Sequence, residues 1–181
     1  PDAIPPTMLT KDITIELNAN GEATITAQQV DNGSNDASGT VNLSIDKTSF
    51  DCSNLGENEV VLTGTDAFNN SATAAATVKV VDVIAPVISL NGNATETVNS
   101  NASYTDAGAT ATDNCITPTV IVSGAVDVNT PGDYTITYNA TDASDNAASP
   151  VTRTVTVIDV TPPAVLTKDI IIELNADGMA T

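Results

Sequence analysis

Histidine and tryptophan are absent from this 181-residue chain, and aromatic residues make up only 3% of it. Without histidine the usual general base and the commonest metal-binding nitrogen are missing, so histidine-dependent catalysis is excluded. Basic residues are also scarce: 5 Lys and Arg stand against 23 Asp and Glu, for a net charge of −18. Such a field repels nucleic acid and anionic membrane surfaces and favours a small cation as partner. No apolar run approaches the roughly 20 residues that a membrane-spanning helix requires. Direct membrane insertion of this segment is therefore not expected, and any signal peptide or anchor is expected outside it. Cysteine occurs only at positions 52 and 115, a count that does not fix the redox compartment.

What is present is a strand alphabet. Hydrophobic residues make up 41% of the chain, enough for small Val/Ile/Ala/Leu cores. ITIELN (13–18), ATITAQQV (23–30), TVNLSI (40–45), EVVLTG (59–64) and TAAATVKVV (73–81) are short, partly alternating runs separated by Asn, Gly, Asp and Ser. The pattern predicts one antiparallel β domain. PVISL (86–90), the stretch around Tyr104 to Thr112, PTVIVSG (118–124), DYTITYNA (133–140) and VTRTVTVI (151–158) repeat it. Two slim β-sandwiches in series follow, with inward Val and Ile and outward Thr. Asn-Gly at 20–21 and at 91–92 is a tight-turn signal, and the first predicts a hairpin joining ITIELN to ATITA.

An internal repeat sets the organisation. PPTMLTKDITIELNANGEAT (5–24) returns as PPAVLTKDIIIELNADGMAT (162–181), identical at 15 of 20 positions with an offset of 162 − 5 = 157 residues. Tandem repeats build spacers, whereas an enzyme needs one assembled pocket. DAIPPTM (2–8), DVIAPVI (82–88) and DVTPPAV (159–165) have one shape and punctuate the period. The expected domains are therefore 1–82 and 83–159, with 160–181 opening a further repeat. That opening cannot complete a sandwich alone, so either a continuing fibre or another chain's exposed edge is expected to order it.

Each half resembles a known family. ITIELNANGEATITAQQVDNGSNDASG, LSIDKTSFDC and LGENEVVLTGTDAFNNSA, covering nearly all of 5–82, resemble the hyalin-type repeats of secreted Bacteroidetes proteins. SYTDAGATATDN, VDVNTPGDYTITYNATDASDNAA and VTRTVTVID, within 83–159, are similar to the bacterial immunoglobulin-like domain of large surface proteins and some crystal proteins. The resemblance implies an all-β fold of tandem immunoglobulin-like antiparallel β-sandwiches in an extended array. It also implies an extracellular, cell-surface location in adhesins of gliding motility and biofilms. Hyalin-type repeats often carry further cysteines where this chain has Ala37 and Ala74, which leaves Cys52 without that partner. Cys52 and Cys115, one in each half, read as half-buried thiols or as cross-links between neighbouring filaments; an intrachain bridge would require the domains to fold back on each other.

The sandwich places chemistry at the domain entrances. In an immunoglobulin-like fold the entering linker abuts the BC and FG loops. For the second domain this gathers linker Asp82, BC-loop Asp113 and Asn114, and FG-loop Asp142, Asp145 and Asn146. For the first it gathers Asp2, then Asp31, Asn32 and Asp36, then Asp66, Asn69 and Asn70. Asp159 is the counterpart of Asp2 one period on. Hard oxygens in such number are the ligand set of Ca²⁺. The same residues are also the commonest turn formers, since their side chains hydrogen-bond backbone two residues on. Tyr134, following Pro-Gly-Asp at 131–133, matches a tyrosine corner, whose hydroxyl bonds upstream backbone. Asn-x-Ser/Thr triplets are expected by chance in so Asn- and Thr-rich a chain and carry no weight.

Three functional readings follow. The leading one is a stalk or filament segment of a bacterial surface adhesin, with Ca²⁺ stiffening the joints and with neighbouring repeats or other filaments as partners. A carbohydrate- or surface-binding module is the alternative, with Phe68 as the aromatic to test. An enzyme is the third, and no residue pattern places a carboxylate pair in a pocket.

Overall fold

The computed structural model describes residues 2–174 and 176–179. Two hydrophobic cores lie in succession along the chain. The first gathers Leu17, Ile25, Val30, Phe50, Val60, Leu62, Val78 and Val80, and the second gathers Ile88, Ala111, Ile136, Tyr138, Ala140 and Val155. No helix among the described residues is long and apolar enough to cross a membrane.

Around the first core run β1 (Ile13–Glu16), β2 (Glu22–Thr24), helix α1 (Ala27–Val30), β3 (Asn42–Ile45), β4 (Ser49–Asp51), a 3-10 turn (Cys52–Asn54), β5 (Gly56–Thr65) and β6 (Ser71–Val81). One sheet has the order β1-β6-β5-β3, and β2 pairs with β4 in the other. Alternation works as expected: Val60 and Leu62 on β5, and Ala76, Val78 and Val80 on β6, face inward between exposed or half-buried neighbours. Around the second core run β7 (Val87–Leu90), β8 (Thr95–Asn99), β9 (Ala109–Thr112), β10 (Ile121–Ser123), β11 (Gly132–Asn139) and β12 (Val151–Ile158). Their sheets have the orders β10-β11-β12-β8 and β7-β9.

Four expectations are corrected. The sandwiches are not purely antiparallel, because β1 runs parallel to β6 and β8 parallel to β12. The entering chain closes both layers in turn: residues near Thr7 and Thr10 bridge to Asn35 and Asp31, and the chain then crosses to lie beside the last strand of its domain. The Asn-Gly turn at 20–21 is tight, with Gly21 at φ 74° and the Asn18 carboxamide accepting from the backbone of Asn20 and Glu22. It joins two sheets, however, and not one hairpin, since β2 pairs with β4. ATITAQQV is strand only to Thr24. The Gln29 side chain accepts the Thr26 N–H at 2.7 Å, and this box starts the turn of α1.

The fourth correction concerns the cysteines. Cys52 and Cys115 form a disulfide, with Cα atoms 5.4 Å apart. No folding back of the domains is needed. The 3-10 turn carrying Cys52 and the loop carrying Cys115 both lie at the junction, and both half-cystines pack on the edge of the first core. Beyond Ile158 the described part of 160–181 contributes no extended strand of its own, and Leu166 and Ile171 are at least 90% exposed. Asn175, Ala180 and Thr181 of the repeated segment lie outside the described residues.

Arg153 occupies an inward position on β12, in line with Val155 and Val157, and is fully buried. Its guanidinium pairs with Asp106, donates to the Tyr138 hydroxyl at 3.0 Å, and donates to the carbonyls of Asn93 and Asn91 at 2.9 and 2.6 Å. Tyr138 also donates to Asp106 at 2.7 Å; burial, then the Asp106 carboxylate, push its phenol up to about 12. Tyr134 donates to the Thr130 carbonyl at 2.7 Å, the upstream backbone bond of a tyrosine corner. Asp106→Ala leaves the buried Arg153 guanidinium with the more distant Glu96 carboxylate, at 3.6 Å, as its ion partner, and is expected to destabilise the second sandwich by about 3 kcal/mol. Urea unfolding measures this, and a loss under about 1 kcal/mol, the scale of a surface pair, contradicts a structural role for the network.

Candidate metal centres at the domain entrances

Three chain segments meet at the entrance of each sandwich. At the second these are the linker after β6, the loop after β9 and the loop between β11 and β12. They bring Asp82, Asp113 and Asp142 together, with one carboxylate oxygen from each within 4.8 Å of the others. Asp2, Asp36 and Asp66 meet under the same limit at the first. Oxygens each about 2.4 Å from one cation stand no more than about 4.8 Å apart, a spacing condition that both triads meet.

The same hydrogen bonds build both triads. Asp66 and Asp142 each turn their loop back by accepting two backbone N–H groups, those of Phe68 and Asn70 at 2.8 Å, and those of Ser144 and Asn146 at 2.9 and 2.8 Å. Asn69 and Asp145 take the left-handed φ values of 67° and 66° that complete these turns. The amides of Asn70 and Asn146 then tie loop to linker. Asn70 donates to the Asp66 carboxylate (2.8 Å) and the Asp2 carbonyl (3.2 Å), and Asn146 to the Asp142 carboxylate (2.8 Å) and the Asp82 carbonyl (3.1 Å). Asp2, Asp82 and Asp159 each accept the N–H two residues on, so the linker turn is the same at all three places.

Six of the expected ligands are thus gathered into triads and the others have different places. Asp31 stands outside the first triad, accepting from Gly33 and Ser34 at 3.3 and 3.0 Å. Burial pushes its carboxyl up, but these bonds and Lys11 outweigh that and hold it below the ordinary range. Asn69 and Asp145 are the turn residues, Asn146 is the tie, and Asp159 caps its own exposed turn through Thr161. Asn114 contacts the second triad by donating to Asp82 at 3.2 Å, and also donates across the junction to the Asn18 carbonyl at 3.2 Å.

The second triad has an added feature. Asp82 and Asp142 are 6% and 9% exposed, and Oδ1 of Asp113 and Oδ1 of Asn114 are buried with no hydrogen-bond partner. Both orphaned atoms are acceptors, so a cation or a donor is what would satisfy them. Carboxylates this close repel by roughly 3 to 4 kcal/mol per pair at an effective dielectric near 20. No ion pair joins any of the six triad carboxylates to Lys or Arg among the described residues. The donor set is all hard oxygen, which suits Ca²⁺ or Mg²⁺ and not a thiolate- or imidazole-seeking metal.

Residues 88–157 match the family model of the Bacterial surface protein, Ig-like domain. The match lies within the second sandwich. Among solved structures it is similar to the lipoprotein BT2262 from Bacteroides thetaiotaomicron, at 31% identity over 43% of this chain and 40% of that one, with a TM-score of 0.39. It is also similar to the fibronectin(III)-like modules of Clostridium thermocellum CbhA, at 12% identity over 91% and 100% of the two chains, TM-score 0.38. The Protocadherin GammaB4 extracellular domain matches at 14% over 86% of this chain and 32% of that one, TM-score 0.40. No curated protein sequence matches the chain.

Asp66 supplies a pH test of the entrance. Burial raises its carboxyl, but the bonds from Asn70 and Phe68 outweigh it and hold it below the ordinary range. A depressed carboxyl stabilises the fold above the unfolded value of about 3.9, and that contribution disappears as pH falls through the lower folded value. Denaturant unfolding of the first sandwich is therefore expected to weaken below about pH 4, and Asp66→Asn to flatten that fall. An identical pH profile in the variant would remove Asp66 as its source.

Proposed function

We propose that this chain is a structural segment, a stalk or filament repeat, of a bacterial cell-surface adhesin, in which Ca²⁺ bridges linker and loops at successive domain entrances. The observation that carries the reading is the duplicated acidic triad: two sandwiches of different sequence gather three carboxylates by the same hydrogen bonds at the same end. Unliganded, such an entrance holds unneutralised charge; liganded, it fixes the angle between successive domains. The 157-residue repeat of the linker turn, Asp2 to Asp159, supports recurrence of the entrance along a tandem array. The surface-family match over 88–157, the disulfide and the strong negative charge support an extracellular setting. Neighbouring repeats of the same chain are the primary partners in this reading, with self-association into filaments as a further one.

Ca²⁺ is expected to raise the midpoint of thermal unfolding, by an amount equivalent to about 2.7 kcal/mol at a 100-fold excess over Kd. Mg²⁺, which dehydrates reluctantly, is expected to do less, and EGTA to reverse the effect. The double variant Asp66→Asn with Asp142→Asn is expected to lose the shift. An unchanged midpoint at millimolar Ca²⁺ removes the metal from the proposal and leaves the stalk.

The alternative, a carbohydrate- or surface-binding module, has Phe68 in its favour, half-exposed at the tip of the β5–β6 loop. Phe50 and Tyr138 are buried in the cores and offer no platform. A lectin predicts a glycan that protects the first sandwich from unfolding and fails to protect Phe68→Ala; the stalk predicts no such glycan.

A further inference from the structure

We infer that the Cys52–Cys115 disulfide is a redox control on cation binding at the second entrance, an inference that rests on the calcium reading above. The triplet Asp113-Asn114-Cys115 carries both devices. Asp113 supplies a triad carboxylate, and its Oδ2 accepts the Cys115 N–H at 3.1 Å. Asn114 holds Asp82 on one side and the Asn18 carbonyl of the preceding sandwich on the other. Cys115 is bonded to Cys52, which sits on the 3-10 turn of that preceding sandwich.

The loop that must present Asp113 is therefore clamped to the first sandwich, while Asp82 and Asp142 are already fixed by the Asn146 tie. Cleaving the clamp frees one of the three carboxylates and both orphaned oxygens, Asp113 Oδ1 and Asn114 Oδ1, to turn towards water. A site that must first be assembled binds more weakly in proportion to the fraction of time it is assembled. The first entrance provides an internal control. There Asp36-Ala37-Ser38 takes the place of Asp113-Asn114-Cys115, with Asp36 accepting the Ser38 N–H at 2.7 Å and no disulfide.

The chemistry is thiol–disulfide exchange with an external dithiol. One thiolate of the dithiol attacks a sulfur of the bridge and forms a mixed disulfide as one cysteine leaves as thiolate. The second thiol of the reductant then displaces the other cysteine, so two electrons and two protons pass to Cys52 and Cys115 and the reductant closes its own disulfide. Linkage makes the effect reciprocal: a cation that binds the oxidised joint more tightly shifts the reduction equilibrium by the same factor.

Calorimetric Ca²⁺ titration of the whole chain in the Asp66→Asn background reads the second entrance alone, before and after reduction with dithiothreitol and alkylation. Affinity is expected to fall at least tenfold on reduction. In the Asp142→Asn background, which reads the first entrance, it is expected to stay the same. A second measurement needs no variant: in the wild-type chain, saturating Ca²⁺ is expected to lower by at least tenfold the equilibrium ratio of reduced to oxidised chains set by a fixed dithiothreitol couple, read as alkylated mass. Equal Ca²⁺ affinity in both redox states, or equal reduction with and without Ca²⁺, overturns the coupling while leaving calcium binding in place. Absence of Ca²⁺ binding in the oxidised wild-type chain overturns both.

Discussion

Each sandwich depends at its entrance on one asparagine amide. Asn146 spends both of its N–H donors at the junction, one on the Asp82 carbonyl and one on the Asp142 carboxylate, and Asn70 does the same with Asp2 and Asp66. The linker cannot then leave the loop between the last two strands, and the side chain of the linker Asp is delivered beside a second carboxylate. The left-handed residue before each asparagine makes this possible, because it turns the loop enough for the amide to reach back four residues. Gathering of negative charge is thus a consequence of how the linker is tied.

Much of the entrance was legible because the physics that gathers it is local. Asp and Asn recur at the linker and at two loops, and an immunoglobulin-like topology places those three segments at one end. Finer assignments were not legible. Asp31 and Asp36 lie five residues apart in one Asp- and Asn-rich loop, and only the path of the chain leaving α1 decides that Asp36 joins the triad while Asp31 caps a turn. Asn69 and Asp145 offer the right oxygens, but their backbone conformation assigns them to the turn.

The disulfide is hidden in the sequence for a related reason. Two cysteines in different domains look remote along the chain, whereas each sits at the end of its domain that faces the other. The parallel edge strands were also hidden, because a chain crossing between layers leaves no mark in period-two alternation. Arg153 was visible in principle: VTRTVTVI places it two and four residues before Val155 and Val157, on the inward face. A charge on a core face asks for a partner, and Asp106 with Tyr138 supplies it.

The junction differs from an ordinary acidic turn at very few positions. The backbone of Asp36-Ala37-Ser38 already makes the turn that Asp113-Asn114-Cys115 makes. Replacing Ala with Asn adds a hydrogen bond into the preceding sandwich, and replacing Ser with Cys adds a covalent one. Close approach is then permitted by Gly21, where a Cβ would lie 2.6 Å from the Cys52 sulfur and 2.7 Å from the Asn114 carbonyl oxygen. Its counterpart one period later, Gly178, has the same φ of 74° with no neighbouring atom to demand it. The local turn sequence therefore sets the shape of this corner, and the joint between the sandwiches uses a surface that the turn already provides.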